Sequence, residues 1–177
     1  MTVNTTVVRK REIITPDTHS LYSIKFRHPL CPTFFCSISQ RAGLKRGDDN
    51  DDNDTNDNYI GGNFRCRLVF PPSYPLLPPT LTFQSPIPFH PNIYPSGLLC
   101  ISILHPPEDD KYGYESASER WSPVQTPETI LLSVISLLHS PNDESPANVE
   151  AARLLREDVK EFRRRCRKGV RESLGED

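Results

Sequence analysis

The sequence lacks an excess of either charge, and it lacks long apolar runs. Its 177 residues carry 21 basic and 23 acidic side chains, a net charge of -2, which gives no electrostatic argument for a nucleic-acid partner. Its apolar runs are far shorter than the roughly 20 residues that cross a bilayer, so no transmembrane segment is predicted. The first residues, MTVNTTVVRKREI, also lack the apolar core of a secretory signal. We therefore expect one soluble intracellular domain whose partners are proteins.

Cysteine is scarce and its spacing follows no metal-binding or disulfide pattern. Cys31, Cys36, Cys66, Cys100 and Cys166 are odd in number and contain no C-x-x-C pair. This argues against a disulfide framework and against a zinc ribbon. We expect reduced thiols and no metal site. Methionine and tryptophan occur once each against 18 prolines, which predicts many rigid turns.

The segment 47–58, GDDNDDNDTNDN, contains six aspartates and no apolar side chain. Asp48, Asn50 and Asp52 have the spacing that begins a calcium-binding EF-hand loop. However, Asn53 occupies the position of the turn glycine, Asn63 or Tyr59 occupies that of the closing glutamate, and no helices flank the segment. A solvated acidic loop is the favoured interpretation.

The residue pattern predicts strands in three segments. Residues 63–70 alternate most clearly, and residues 34–38 and 80–84 are shorter candidates. Residues 1–33 show neither helical spacing nor clean alternation, so irregular structure with at most one short strand is expected there. The links from residue 63 onwards are too short for crossovers, which predicts antiparallel pairing.

Helices follow in the last third of the chain. Thr126 is a candidate N-cap with Pro127 at the first helical position, and residues 130–138 are apolar almost all round, which predicts a buried helix. Ser145 and Pro146 repeat the capping pattern and predict the start of a second helix. Its apolar stripe would consist of Leu155, Val159, Phe162, Cys166 and Val170.

A candidate reaction centre lies in residues 90–104, HPNIYPSGLLCISIL. Pro91 and Pro95 restrict the backbone around Asn92, and Cys100 follows within an apolar run. A thiol beside a fixed amide donor suggests acyl transfer, in which sulfur attacks a carbonyl and the amide stabilises the oxyanion. The alternative is an inert buried cysteine.

Residues 59–174 resemble the ubiquitin-conjugating enzymes. The resemblance lies in four motifs in register: YIGGNFRCRLVFPPSYPLLPP, HPNIYPSGLLCISIL, ERWSPVQTPETILLSVISLL and SPNDESPANVEAA. The loop between Cys100 and Trp121 is similar to the acidic insertion of the subgroup that acts in endoplasmic-reticulum-associated degradation.

The resemblance implies a role for each residue of the reaction centre. Cys100 would carry ubiquitin as a thioester and pass it to a lysine amine. Asn92 would stabilise the oxyanion, and His90 would brace the turn. Asp143 and Ser145 would gate the cleft and orient the lysine.

The resemblance also implies partners and excludes a cofactor. Ubiquitin, a ubiquitin-activating enzyme, a RING-type ligase and protein substrates are the implied partners, and ATP would be used by the activating enzyme alone. The implied ligase-binding residues are Leu76, Ser122, Pro123 and Val124. The implied acidic-insertion residues, linked to chain building and cleft gating, are Glu108, Asp109 and Asp110.

The implied fold class is α+β: a four-stranded antiparallel meander sheet with flanking helices. We predict a core domain over residues 34–174 with the acidic loop at 47–58, preceded by a divergent segment 1–33 that lacks the amphipathic helix with which this family usually opens. The expected location is the cytoplasm, with recruitment to the endoplasmic reticulum surface; the nucleus is an alternative.

Two other functions are also compatible with the sequence. A catalytically impaired binding scaffold would keep the fold and present its surfaces to partners. A cysteine hydrolase would use His90, His105 or His139 as a base, although no spacing identifies a cysteine–histidine pair.

Overall fold

The structure is a computed structural model that describes residues 7–14, 21–28, 33–41, 58–106 and 119–176, with only the backbone described for 7–14, 21–28, 40 and 41. The aspartate-rich segment lies outside the described residues, apart from Asn58. Its interpretation as a solvated acidic loop therefore stays a prediction.

One antiparallel sheet forms the framework, and its strands follow one another in chain order. Its strands are β1 (Val7–Ile14), β2 (Leu21–His28), β3 (Thr33–Arg41), β4 (Asn63–Val69) and β5 (Thr80–Phe83). The α+β class and the antiparallel meander are confirmed.

The expected number of strands was wrong, because the described part of the sheet has five strands instead of four. Two of the five strands come from the region before residue 33, for which we expected mostly irregular structure. β1 and β2 pair over eight residues, from Val7 opposite His28 to Ile14 opposite Leu21. Backbone hydrogen bonds to a neighbouring strand define β1, although its own sequence does not alternate. The boundaries of the core domain stay a prediction.

Strand β4 has the predicted alternation. Phe64, Cys66 and Leu68 are buried while Arg65 and Arg67 are exposed. The inward side chains pack in the core between the sheet and the helices, where apolar burial contributes most of the stabilisation.

Cys36 and Cys66 form a disulfide, which corrects the expectation that all thiols are reduced. The two residues lie directly opposite each other in the β3–β4 register, with a Cα–Cα distance of 5.2 Å. This distance is well within the range that a disulfide spans. A separation of 30 residues in sequence gives no sign of the pairing until the register is known.

Helix α1 (Pro127–His139) begins as predicted. The Thr126 hydroxyl accepts a hydrogen bond from the Thr129 amide, and the Thr129 hydroxyl interacts with the Thr126 amide, which completes a capping box. The buried residues of this helix are Ile130, Leu131, Val134, Ile135 and Leu138. The prediction of a buried helix is confirmed, although Leu132 is 41% exposed on the opposite side.

The C-terminal stripe spans two helices instead of one. Helix α2 (Val149–Glu157) is capped by Asn148, three residues later than predicted, and α3 (Val159–Leu174) is capped by Asp158. The Asp158 side chain accepts from the Glu161 amide, so it begins a new helix where the stripe had suggested continuity. Phe162, Cys166 and Val170 are buried as expected, but Val159 is 40% exposed at the junction.

Within the described ranges, none of the helices combines the length and the apolar character that crossing a bilayer requires. The same residues contain no group of three or more histidine, cysteine or acidic side chains placed to hold a metal ion.

Candidate active site

The segment between β5 and α1 folds back on itself and brings Asn92 beside Cys100. The Leu99 amide donates to the Leu81 carbonyl of β5 at 2.9 Å, and the Cys100 amide donates to the Asn92 carbonyl at 2.9 Å. A turn closed by Gly97, whose amide donates to the Tyr94 carbonyl at 2.8 Å, separates the two residues. The backbone of this region is therefore fixed against the sheet.

The Cys100 sulfur is a free thiol at the surface of this segment. Cys100 is partly exposed, so a reactant can approach it from solvent. Its Sγ lies 3.5 Å from Nε2 of His105, which returns toward the sulfur after the one-turn 3₁₀ helix Ser102–Leu104. The sequence had identified Cys100 as the candidate nucleophile but had not placed His105 in contact with it.

The Asn92 side chain is 3% exposed, and both of its polar atoms bind the backbone of Asn142. Nδ2 donates to the Asn142 carbonyl at 2.6 Å, and Oδ1 accepts from the Asn142 amide at 2.9 Å. An amide nitrogen carries two hydrogens, so one N–H remains after this contact. The same side chain thus holds the loop after α1.

His90 is fully buried and its two ring nitrogens have distinct roles. Nδ1 accepts a hydrogen bond from the Asn92 amide at 3.0 Å, so the ring proton lies on Nε2, which donates to the Leu137 carbonyl at 3.0 Å. Burial lowers the pKa of the His90 imidazole from its ordinary value to about 4. The ring is therefore neutral at physiological pH and connects the Asn92 turn to α1.

The loop after α1 carries Asp143 and Ser145. Ser145 is exposed and Asp143 is half-buried. Arg156 of α2 reaches back to this loop, with Nη1 donating to the Asp143 carbonyl at 3.2 Å and lying 3.6 Å from the Asp143 carboxylate. The Asn148 amide donates to the Pro91 carbonyl at 2.8 Å, which fastens the far end of the loop to the same turn.

Comparison with known proteins decides the family. A family model described as "Ubiquitin-conjugating enzyme" matches residues 53–170, about two thirds of the chain. This chain belongs to the ubiquitin-conjugating enzyme family. Its family and its relatives show that it is a ubiquitin-conjugating enzyme. Membership of this family implies ubiquitin, a ubiquitin-activating enzyme and a ubiquitin ligase as partners.

Curated relatives support the assignment at high identity. Ubiquitin-conjugating enzyme E2 15 of Schizosaccharomyces pombe is 60% identical over 116 residues, which cover 66% of this chain and 69% of the relative. Ubiquitin-conjugating enzyme E2 14 of Arabidopsis thaliana is 57% identical over 115 residues, covering 65% and 68%. Ubiquitin-conjugating enzyme E2 G2 of Homo sapiens is 55% identical over 114 residues, covering 64% and 68%.

Two connected segments of the conjugating enzyme carry exposed apolar side chains. Leu76 is 72% exposed and Val124 is 82% exposed, and Pro123 is exposed while Ser122 is half-buried. The Trp121 indole N–H donates to the Pro75 carbonyl at 2.9 Å and joins the two segments that carry these residues. The structure thus places the four predicted ligase-binding residues on two connected segments.

The acidic insertion of the conjugating enzyme, with Glu108, Asp109 and Asp110, lies outside the described residues, and its role stays a prediction. Its flanks are described: the Trp121 amide donates to the His105 carbonyl at 3.1 Å. The insertion therefore leaves and rejoins the fold at adjacent points next to Cys100.

Proposed function

We propose that Cys100 accepts the C-terminal carboxyl group of ubiquitin as a thioester and passes it to a lysine amine. The observation that supports this most directly is that Cys100 presents a free, partly exposed thiol. The other free cysteine among the described residues, Cys166, is buried, and burial raises the pKa of its thiol to about 12. Cys36 and Cys66 are joined to each other.

The neighbouring groups suit the transfer step. A lysine amine attacks the thioester carbonyl, the carbonyl oxygen becomes an oxyanion, and the carbon–sulfur bond then breaks to release the Cys100 thiolate. The remaining Nδ2–H of Asn92 is the proposed oxyanion donor. The Asp143 carboxylate would accept a proton from the attacking amine, and Ser145 would help to gate its approach. His90, held neutral by burial, would act only as a brace.

The exposed surface suits a RING-type ligase. Of its four residues, Leu76, Pro123 and Val124 have exposed apolar side chains, Ser122 is polar and half-buried, and the Trp121 contact joins the two segments that carry them. Exposed apolar side chains on a fixed backbone are typical of protein-binding sites. Protein substrates would then reach Cys100 from the side of the Asp143 loop.

We further propose that the enzyme builds ubiquitin chains for proteasomal degradation and works in the cytoplasm at the endoplasmic reticulum surface. The support is the similarity of residues 105–121 to the acidic insertion of the degradation subgroup. In this proposal Glu108, Asp109 and Asp110 gate the cleft. The core domain would comprise residues 34–174.

The test is a charging reaction with purified ubiquitin, activating enzyme and ATP, resolved without reductant. We expect an adduct whose mass exceeds that of the chain by one ubiquitin. Cys100→Ala should give none, while Cys166→Ala should be charged normally because the Cys166 sulfur is buried. Absence of an adduct in wild type, with folding verified by circular dichroism, would contradict the proposal and favour the binding scaffold. Hydrolysis of a ubiquitin ester without activating enzyme would instead favour the hydrolase.

A further inference from the structure

His105 is held against the Cys100 sulfur by the backbone on both sides of it. Its amide donates to the Ser102 carbonyl at 2.8 Å, and its carbonyl accepts from the Trp121 amide at 3.1 Å. These two bonds fix the position of the residue between the 3₁₀ turn and the end of the acidic insertion. With the backbone so placed, the imidazole Nε2 lies 3.5 Å from Sγ.

The other histidines whose side chains are described have different contacts. Both ring nitrogens of His90 are bonded within the fold, and Nδ1 of His139 lies 3.0 Å from the Ile135 carbonyl of its own helix. His105 is the described histidine whose ring contacts the free thiol. A proton can therefore pass directly between Nε2 and Sγ.

We propose that His105 is a catalytic residue that exchanges a proton with the Cys100 sulfur during loading and discharge of ubiquitin. The inference rests on the proposed function, because it assumes that Cys100 carries the thioester. Loading needs a thiolate, and an ordinary thiol is largely protonated at neutral pH. Histidine is the side chain that most often serves as a general base, and the His105 imidazole is in contact with the sulfur.

During loading, Nε2 accepts the Sγ proton while Sγ attacks the thioester carbonyl on the activating enzyme. One carbon–sulfur bond forms at Cys100 and one breaks at the activating enzyme. The thiolate that leaves is protonated by water, and the imidazolium returns its proton to solvent. No atom changes its oxidation state.

During discharge, the lysine nitrogen forms an amide bond with the carbonyl carbon, and the bond from that carbon to Sγ breaks. Nε2–H, protonated from solvent, donates its proton to the departing sulfur. The amine loses one proton to Asp143 or to water. The net result is an isopeptide bond and a regenerated thiol, with His105 restored.

The test compares His105→Ala and His105→Gln with wild type in single-turnover loading and in discharge to free lysine. General acid–base groups typically contribute about a hundredfold or more. Because a thiol is already partly ionised at neutral pH, we expect a smaller loss, about tenfold, in both variants. Added imidazole should restore most of the loading rate of His105→Ala. His139→Gln, the same change at a histidine without contact to the sulfur, should load like wild type.

Alkylation of Cys100 by iodoacetamide, followed by mass spectrometry of its peptide, gives a measurement that needs no partner. We expect His105→Gln to react about tenfold more slowly at neutral pH, since no imidazole then accepts the thiol proton as the sulfur attacks. Wild-type rates in both variants, or full activity of His105→Gln with no imidazole rescue of His105→Ala, would overturn the proposal. If wild type itself is not charged by the activating enzyme, the proposed function fails instead, and the alkylation rates still decide whether His105 assists the thiol.

Discussion

The Asn92 carboxamide binds both polar groups of the Asn142 backbone, at 2.6 Å and 2.9 Å, across 50 residues of sequence. The residue that we propose as the oxyanion donor therefore also holds the loop that carries Asp143. The proposed oxyanion donor and the position of the Asp143 loop therefore depend on one side chain. Changes at Asn92 should affect stability and transfer together.

We expect Asn92→Ala to be charged with ubiquitin but to discharge it slowly. Loss of a preorganised oxyanion donor typically lowers the rate by about a hundredfold or more. Leaving the Asn142 backbone groups without their buried partner should also lower the free energy of unfolding by about 1–3 kcal/mol. Single-turnover discharge to free lysine and chemical denaturation measure the two effects. Discharge at the wild-type rate would refute the role of Asn92.

The matched control for stability is Asn142→Ala. It removes a side chain but keeps the two backbone groups that Asn92 binds. Its lost contact is an exposed one, from the Glu144 amide to Asn142 Oδ1, so the loss of stability should be well below that of Asn92→Ala. Equal losses in the two variants would show that the backbone contacts carry little of the effect.

Arg156→Ala should make the Asp143 carboxylate more available to an incoming lysine. The ion pair is exposed, and such pairs contribute about 1 kcal/mol or less, so stability should change little. Discharge at low lysine concentration should rise by up to about fivefold, which is the equivalent of 1 kcal/mol. The control is Arg153→Ala, on the same helix, whose side chain is equally exposed at 53% and pairs with Glu157. A response to Arg153→Ala as large as that to Arg156→Ala would contradict the prediction.

The stability of the enzyme should fall between pH 7 and pH 5 because of His90. Its pKa is near 4 in the folded chain and near 6.5 when unfolded, so the unfolded state binds the proton first as pH falls. The contribution of neutral His90 to the free energy of unfolding is complete above the pKa of the unfolded state. It is lost progressively toward pH 4, by about 2 kcal/mol between pH 7 and pH 5. Denaturation of wild type and His90→Gln across this range measures it. The variant should be less stable at pH 7 but should show a flatter profile; parallel profiles would contradict the assignment.

Gly97→Ala should destabilise the turn that precedes Cys100. Gly97 has φ of +87°, and a Cβ there would collide with the Phe83 carbonyl oxygen. Gly175 also has a positive φ, +79°, but open space surrounds its Cβ position. The backbone strain should cost about 1–2 kcal/mol in each alanine variant, and the collision should add to the cost at Gly97 alone. Thermal denaturation of the two variants gives the difference; similar losses would argue against the close approach.

Much of the fold follows from local sequence patterns, and the elements that were not predicted have physical explanations. The alternation of β4 and the Thr126 cap of α1 predicted those elements correctly. In β2, Tyr22, Ile24 and Phe26 alternate with polar residues, a usable signal that our prediction overlooked. β1 has no such alternation, and its pairing with β2 defines it. The Cys36–Cys66 disulfide likewise becomes visible only in the register of two strands.

The candidate site was only partly predictable for the same reason. Cys100, Asn92 and His90 lie in one contiguous motif, which the sequence shows directly. The partner of Asn92 is the backbone of Asn142, and backbone groups leave no signature in a side-chain pattern. His105 lies only five residues from Cys100, but its contact with the sulfur depends on the 3₁₀ turn between them.

The disulfide between β3 and β4 affects which reagent can be used to detect the ubiquitin thioester on the enzyme. Thiol reagents cleave sulfur–sulfur bonds by exchange and would release ubiquitin from a thioester by attack on its carbonyl. Such a reagent would therefore relax the sheet and remove the adduct at the same time. Hydroxylamine attacks an acyl carbon and leaves cystine intact, so it would report the thioester while the cross-link between the strands persists.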